Sequence, residues 1–167
     1  MNKYTIYLYG YLFIGLSFYG IFNINGQTEE ISIAYLNGSQ VLPQVDTNAS
    51  GKTTFVFFGD NLFVSGIYYN ITVQNISDIT AIELHRAPEK INGTLLTNDF
   101  QIASNYQATN VVSEGDIDNL PFTFTSDLGE KGEAVYSALK RLIDDKEVYI
   151  DIHTKKYPEG EIRGQLN

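Results

Sequence analysis

The sequence contains no cysteine, and this absence excludes several kinds of protein at once. Disulfide bonds, thiolate metal sites and a cysteine nucleophile are impossible, so packing and strand pairing must hold the fold together. Basic residues are also scarce, because 11 Lys and Arg stand against 20 Asp and Glu and the formal net charge is −9. Such a charge disfavours non-specific binding to nucleic acid or to an anionic membrane.

Common catalytic and nucleotide-binding motifs are absent as well. The chain has no Gly-x-Ser-x-Gly nucleophile motif, no phosphate-binding glycine loop, no EF-hand loop and no basic aromatic patch. Its only two histidines are His85 and His153. The sequence therefore predicts a protein that is not an enzyme, and no cofactor is expected.

The first 26 residues have the pattern of a secretory signal peptide. Lys3 supplies a positive charge, residues 4–22 contain no charged residue, and cleavage is expected near Gly26. The run is rich in Tyr and interrupted by Gly, so it makes a poorer membrane span than a Leu-rich segment, although a retained anchor stays an alternative. We therefore expect a secreted domain over residues 27–167, without membrane contact after cleavage.

The abundant residues favour β-structure. Twelve Tyr and ten Phe accompany many Thr, Val and Ile residues, and all of these types favour strands. Alternation of apolar and polar residues predicts strands over 31–36, 52–58, 62–73, 79–85, 94–100 and 120–125. Residues 101–118 lack this periodicity, and we expect them to form a loop.

One helix is predicted, over residues 130–144. Asp127 and Glu130 have the spacing of a capping box, and an apolar stripe follows at Val135, Ala138, Leu139 and Leu142. Many short strands and one late helix predict an all-β protein, an antiparallel Greek-key β-sandwich or barrel with one short α-helix in its C-terminal half.

The C-terminus has the pattern of a β-hairpin, with strands over 148–154 and 161–166 around a loop that contains Pro and Gly. If the hairpin is symmetric about Tyr157, Asp151 lies opposite Arg163 and His153 lies opposite Glu161. We expect these charged side chains to form a polar ladder across one face. The other face then carries Val148, Ile150, Ile152, Ile162 and Leu166.

The same hairpin resembles the closing motif of the CHRD domain, a family named after chordin that recurs in many secreted microbial proteins. The matching segments are Tyr-Ile-Asp-Ile-His-Thr at 149–154 and Pro-Glu-Gly-Glu-Ile-Arg-Gly-Gln-Leu at 158–166. The motif residues are Asp151, His153, Glu161, Arg163 and Gly164. The resemblance implies a secreted, non-enzymatic domain that acts in extracellular binding or structure, with an extracellular protein or polysaccharide as its partner.

An alternative function is divalent-metal binding by a β-barrel whose architecture resembles that of Cu/Zn superoxide dismutase. Glu83 and His85 alternate on one predicted strand, as do Asp151 and His153 on another, so each pair shares a face. Imidazole is a good ligand for zinc or copper. If the two strands are neighbours, all four side chains converge, and a shared ion requires that they lie within about 5 Å of one another.

Five Asn-x-Ser/Thr triplets are acceptors for N-glycosylation in a host with that machinery. They begin at Asn37, Asn48, Asn70, Asn75 and Asn92.

Overall fold

The structure, a computed structural model, describes residues 22–24, 27–60, 64–97, 100–104, 106, 110–116 and 133–167. Nine strands and one helix lie in these segments: β1 (Phe22–Ile24), β2 (Gln27–Asn37), β3 (Ser50–Gly59), β4 (Val64–Gln74), β5 (Ile79–Arg86), β6 (Thr94–Thr97), β7 (Val111–Asp116), α1 (Glu133–Asp144), β8 (Val148–Thr154) and β9 (Ile162–Gln165). A 3-10 turn at Gly38–Gln40 follows β2.

The described strands form one antiparallel sheet that curls into a half-barrel. Its order is β6-β5-β8-β9-β2-β3-β4-β7, and β1 pairs with the start of β2. The C-terminal hairpin of β8 and β9 is thus inserted between β5 and β2. This non-sequential order, with one helix late in the chain, confirms the antiparallel all-β fold predicted from the sequence.

The core lies on the concave face of the sheet, because alternate residues of each strand turn to that side. The fully buried side chains include Leu36, Phe55, Ile67, Ile71, Ile82, Leu84, Ile150, Ile152 and Ile162. Helix α1 contributes the stripe predicted for it, with Val135, Ala138, Leu139 and Leu142 buried, and Ile143 is buried as well. Lys140 of this helix forms an ion pair with Glu30 of β2 at 2.7 Å.

Several element boundaries differ from the prediction. The strand expected over 94–100 ends at Thr97, and β7 lies within the segment 101–118 that was expected to be a loop. Pairing of β7 with β4 explains this strand, because it buries Val112 and Ser113 in a segment without regular alternation. Strand β2 begins four residues before the predicted start, because its first residues pair with the end of β3.

Some predictions concern residues outside the described segments. These are the strand over 120–125, the capping box of Asp127 and Glu130, and the signal peptide apart from Phe22–Ile24. Within the described segments, no helix combines the length and the hydrophobicity that a membrane crossing requires.

Candidate functional site

The pairing of β5 with β8 brings four predicted site residues onto one surface. Glu83 lies opposite Asp151, and Ala81 lies opposite His153. The intervening residues of both strands are buried in the core, so the remaining side chains lie on the convex face. We name the resulting group the His-carboxylate cluster, which consists of Glu83, His85, Asp151 and His153.

The nitrogen and oxygen atoms of the cluster alternate around a small ring. Nε2 of His85 lies 2.9 Å from Oε2 of Glu83 and 3.5 Å from Oδ1 of Asp151. Nε2 of His153 lies 3.2 Å from the same Asp151 oxygen and 3.5 Å from the same Glu83 oxygen. Each of the four side chains is 12–21% exposed. The four side chains therefore meet at a partly buried point.

Backbone carbonyl oxygens hold the other nitrogen of each histidine. Nδ1 of His85 lies 3.3 Å from the oxygen of Gly93, and Nδ1 of His153 lies 2.7 Å from the oxygen of Pro158. A carbonyl oxygen can only accept a hydrogen bond, so each Nδ1 carries a hydrogen. Nε2 of each histidine is consequently the atom that faces the carboxylates.

The pKa of His153 is strongly raised. Burial lowers the pKa of His153, but the Asp151 carboxylate, the Pro158 carbonyl oxygen and the Glu83 carboxylate outweigh burial and raise the pKa to about 9. Nε2 of His153 and Oδ1 of Asp151 are nevertheless buried without a hydrogen bond of suitable geometry. Their 3.2 Å separation would permit such a bond, so their relative direction prevents it.

Tyr149, on the central strand of three, connects the cluster to β9. The imidazole of His85 stacks on the Tyr149 ring at a centroid distance of 4.9 Å and an interplanar angle of 4°. The guanidinium carbon of Arg163 lies 3.4 Å from the centre of the same ring. The Tyr149 hydroxyl accepts a hydrogen bond from the backbone N–H of Gly93 at 3.1 Å. Residues 87–93, named here the covering loop, are thereby tied to the cluster.

The predicted hairpin register is correct, but the predicted polar ladder is wrong. Asp151 does lie opposite Arg163 across β8 and β9. The guanidinium group instead donates to Oδ1 of Asn92 at 3.1 Å and to the carbonyl oxygen of Ile91 at 2.9 Å. The covering loop supplies these acceptors, and the Asp151 carboxylate faces the histidines instead.

Glu161 also has partners other than the predicted His153. Its carboxylate accepts hydrogen bonds from the hydroxyls of Thr154 at 2.7 Å and Thr47 at 2.8 Å. Gly164, the remaining motif residue, lies where β9 crosses close to β2, and an added Cβ would lie 2.7 Å from the carbonyl oxygen of Tyr35. Both residues therefore contribute to packing around the hairpin.

The five glycosylation triplets differ in exposure. Asn48, Asn75 and Asn92 are exposed, whereas Asn37 and Asn70 are half-buried. Oδ1 of Asn37 accepts from the backbone N–H of Ser39 and thereby caps the 3-10 turn.

Sequence reasoning missed Tyr149, Gly93 and Asn92 as neighbours of the cluster. In the sequence, Asn92 and Gly93 were visible only as part of a glycosylation triplet. Contacts from the covering loop to β8 and β9 span more than 50 residues, and local periodicity carries no signal for such contacts.

A second surface lies on the convex face of β2, β3 and β4. Six apolar side chains lie on this face, which we name the β2–β4 stripe: Ile31, Ile33, Tyr35, Val56, Phe58 and Tyr68. The register aligns Ile31, Val56 and Tyr68 in one row across the three strands. Ile31 is 44% exposed and Tyr35 is 67% exposed. An exposed apolar group on adjacent strands is a common property of interaction sites.

Comparison with protein families gives one match. A family model described as CHRD domain matches residues 33–166, which include the cluster, the covering loop and all of the β2–β4 stripe except Ile31. No curated protein and no solved structure matches the chain.

Proposed function

The chain belongs to the CHRD domain family, and we propose that it is a secreted, non-enzymatic domain that binds an extracellular protein or polysaccharide. Membership in this family supports a binding or structural role of the extracellular type.

The observation that carries the binding role is the β2–β4 stripe. Ile31 and Tyr35 of β2 are exposed, and half-buried apolar side chains of β3 and β4 adjoin them, whereas the apolar side chains that monomeric proteins expose are usually single. Tyr35 and Tyr68 add aromatic rings with polar hydroxyl groups, a residue type that is enriched at interfaces. A convex sheet surface of this composition fits a protein surface or the apolar face of a sugar ring.

Secretion can be tested by following the protein in its host. We expect an antibody to detect the protein in the culture medium, and N-terminal sequencing of that form should begin near Gln27. The positively charged start and uncharged run of residues 4–22 motivate this expectation. Retention in the membrane fraction with an intact N-terminus would contradict secretion and support an anchor.

Binding through the stripe can be tested by co-sedimentation with the insoluble surface polymers of the host and by cross-linking to its surface proteins. We expect the wild-type protein to bind one of these fractions, and Ile31→Ser with Tyr35→Ser to abolish that binding. Ile91→Ser is the matched control, because Ile91 is 53% exposed but lies in the covering loop. Equal binding by all three proteins would exclude the stripe as the binding surface.

Glycosylation is part of the same proposal, for a host that has the machinery. Asn48, Asn75 and Asn92 are exposed and should carry glycans more fully than the half-buried Asn37 and Asn70. Peptide mapping by mass spectrometry, before and after treatment with an endoglycosidase, measures the occupancy of each triplet. Higher occupancy at Asn70 than at the exposed triplets would contradict this order.

A further inference from the structure

We propose that the His-carboxylate cluster binds one divalent transition-metal ion, zinc or copper, through Oε2 of Glu83, Oδ1 of Asp151 and Nε2 of both histidines. The site is independent of the β2–β4 stripe and of the partner that the stripe binds.

The spacing of the donor atoms fits a common ion at their centre. Ligand atoms at about 2.0 Å from a tetrahedral ion are separated from one another by about 3.3 Å. The four nitrogen-to-oxygen distances around the ring run from 2.9 to 3.5 Å. The ligand atoms of Glu83, Asp151 and His153 all lie within 4.8 Å of one another. Nε2 of His85 adjoins this group of three, through its distances of 2.9 Å to the Glu83 oxygen and 3.5 Å to the Asp151 oxygen.

The imidazole rings of both histidines are oriented as those of metal-bound histidines commonly are. A metal-bound histidine commonly donates its second N–H to a backbone carbonyl or carboxylate, which fixes the tautomer and the ring. The Gly93 and Pro158 carbonyl oxygens do this for His85 and His153. Nε2 of a neutral imidazole then carries a lone pair, which can only accept a hydrogen bond. The carboxylate oxygens that it faces can also only accept hydrogen bonds. A cation between these atoms satisfies all four.

The two histidines differ in their hydrogen bonds within the cluster, because Nε2 of His85 has a partner there and Nε2 of His153 has none. Nε2 of His85 makes a hydrogen bond to Glu83 at 2.9 Å. Nε2 of His153 lies within 3.5 Å of two carboxylate oxygens, and neither contact has the direction of a hydrogen bond. Oδ1 of Asp151 is buried and likewise has no such bond. These two unpartnered atoms indicate a ligand that lies between the side chains.

The charge of the site matches a divalent ion. Metal binding requires both imidazoles to be neutral, and in that form the two carboxylates give the site a charge of −2. Partial burial makes this charge costly without a counter-charge. One divalent ion neutralises it. The imidazole ligands favour zinc or copper over magnesium or calcium, which prefer sites built of oxygen alone.

The scaffold holds the donor atoms in place before an ion binds. Glu83 and Asp151 are direct neighbours across the paired strands β5 and β8. The residues that flank them in these strands are fully buried: Ile82, Leu84, Ile150 and Ile152. Stacking of His85 on Tyr149 restricts the imidazole further. We infer a structural ion that joins β5 to β8, because all four ligands come from these two strands.

Calorimetric titration of the purified, chelator-treated protein with zinc, and separately with copper, tests the site. We expect one ion per chain, and the metal with the higher affinity identifies the preferred ion. Asp151→Asn and His153→Ala should weaken metal binding by about 100-fold or more. This loss exceeds the one expected when a residue that only hydrogen-bonds to a metal ligand is replaced. Glu147→Gln, on an exposed carboxylate paired with Arg86, should bind like the wild type.

A measurement on the unaltered protein guards against variants that fail to fold. In nitrogen-detected NMR of the imidazole rings, zinc should shift Nε2 of both histidines while Nδ1 stays protonated. If a proton and not a metal ion holds the cluster together, the protein should show no saturable metal binding and no metal-dependent shift of the imidazole nitrogens. Either result would overturn the proposal. Binding that survives in both ligand variants would overturn it as well.

Discussion

The guanidinium carbon of Arg163 lies 3.4 Å from the centre of the Tyr149 ring. Arg163 and Asp151 are opposite each other in the register, yet the guanidinium group bonds to the covering loop at Asn92 and Ile91. One arginine thus fastens the C-terminal hairpin, the loop and the ring against which His85 stacks. Burial lowers the pKa of Arg163, and the nearby Tyr149 and Asp151 oppose this effect.

Arg163→Ala should lower the free energy of unfolding by about 2–4 kcal/mol, because it removes two charge-assisted hydrogen bonds and a cation–π contact. Lys155→Ala should change it by about 1 kcal/mol or less, since the ion pair of Lys155 with Asp78 is exposed. Urea unfolding of both variants measures the difference. Equal losses would show that the bonds of Arg163 to the covering loop contribute little to stability.

Gly93→Ala should be destabilising by at least about 2 kcal/mol. An added Cβ would overlap the carbonyl group of Arg86, so the covering loop must move. Movement would break the bonds from Gly93 to the Tyr149 hydroxyl and to Nδ1 of His85.

Gly66→Ala is the control for this variant, because nothing lies within 4 Å of a Cβ added to Gly66. Thermal unfolding monitored by circular dichroism compares the two variants. If Gly93→Ala unfolds at the same temperature as Gly66→Ala and the wild type, the covering loop does not approach β5 as closely as described.

Local patterns were sufficient to predict much of this fold. Alternation identified most strands, and the spacing around Tyr157 gave the hairpin register, because side chains of period 2 must share the core face. Strand β7 was missed, since Ser113 is buried as a polar residue and breaks the alternation. Its structure depends on pairing with β4, which short-range sequence does not encode.

The candidate site was predictable in composition but not in contacts. Glu83 with His85, and Asp151 with His153, were recognisable as pairs that share a face. Their meeting requires β5 to pair with β8 across more than 60 residues of sequence. The partners of Arg163 and Glu161 depend on loops at 91–92 and 47, whose positions follow from tertiary packing and from no local pattern.

Glu161→Ala should lower the free energy of unfolding by about 1.5–3 kcal/mol, the range for hydrogen bonds to a charged group. Glu161 is 8% exposed, and its carboxylate is the acceptor for the Thr47 and Thr154 hydroxyls. Its removal leaves both hydroxyls without this acceptor and loosens the loop before β3 from the hairpin.

Glu159→Ala is the matched control, two residues earlier and exposed, and should change stability by no more than about 0.5 kcal/mol. Chemical unfolding of both variants provides the comparison. A Glu159→Ala protein as unstable as Glu161→Ala would point to a general effect of hairpin charge instead of the two hydroxyl contacts.

The stability of the metal-free protein should fall as the pH rises from about 6.5 to 9. The pKa of His153 is raised to about 9 in the folded protein, above the value of about 6.5 for an unfolded chain. The folded state therefore binds the proton more tightly, and its stabilisation is complete below pH 6.5 and lost through pH 9. Partial solvent exposure of the cluster reduces the expected loss to about 1–2 kcal/mol.

Urea unfolding in the presence of a chelator, at several pH values, measures this dependence for the wild type and for His153→Gln. The groups that face the imidazole are the carboxylates of Glu83 and Asp151, the Pro158 carbonyl oxygen and, across the ring, His85. The glutamine variant keeps the carboxylates but has no ring to protonate, so its stability should vary less over this pH range. An identical decline in both proteins would assign the pH dependence to groups other than His153.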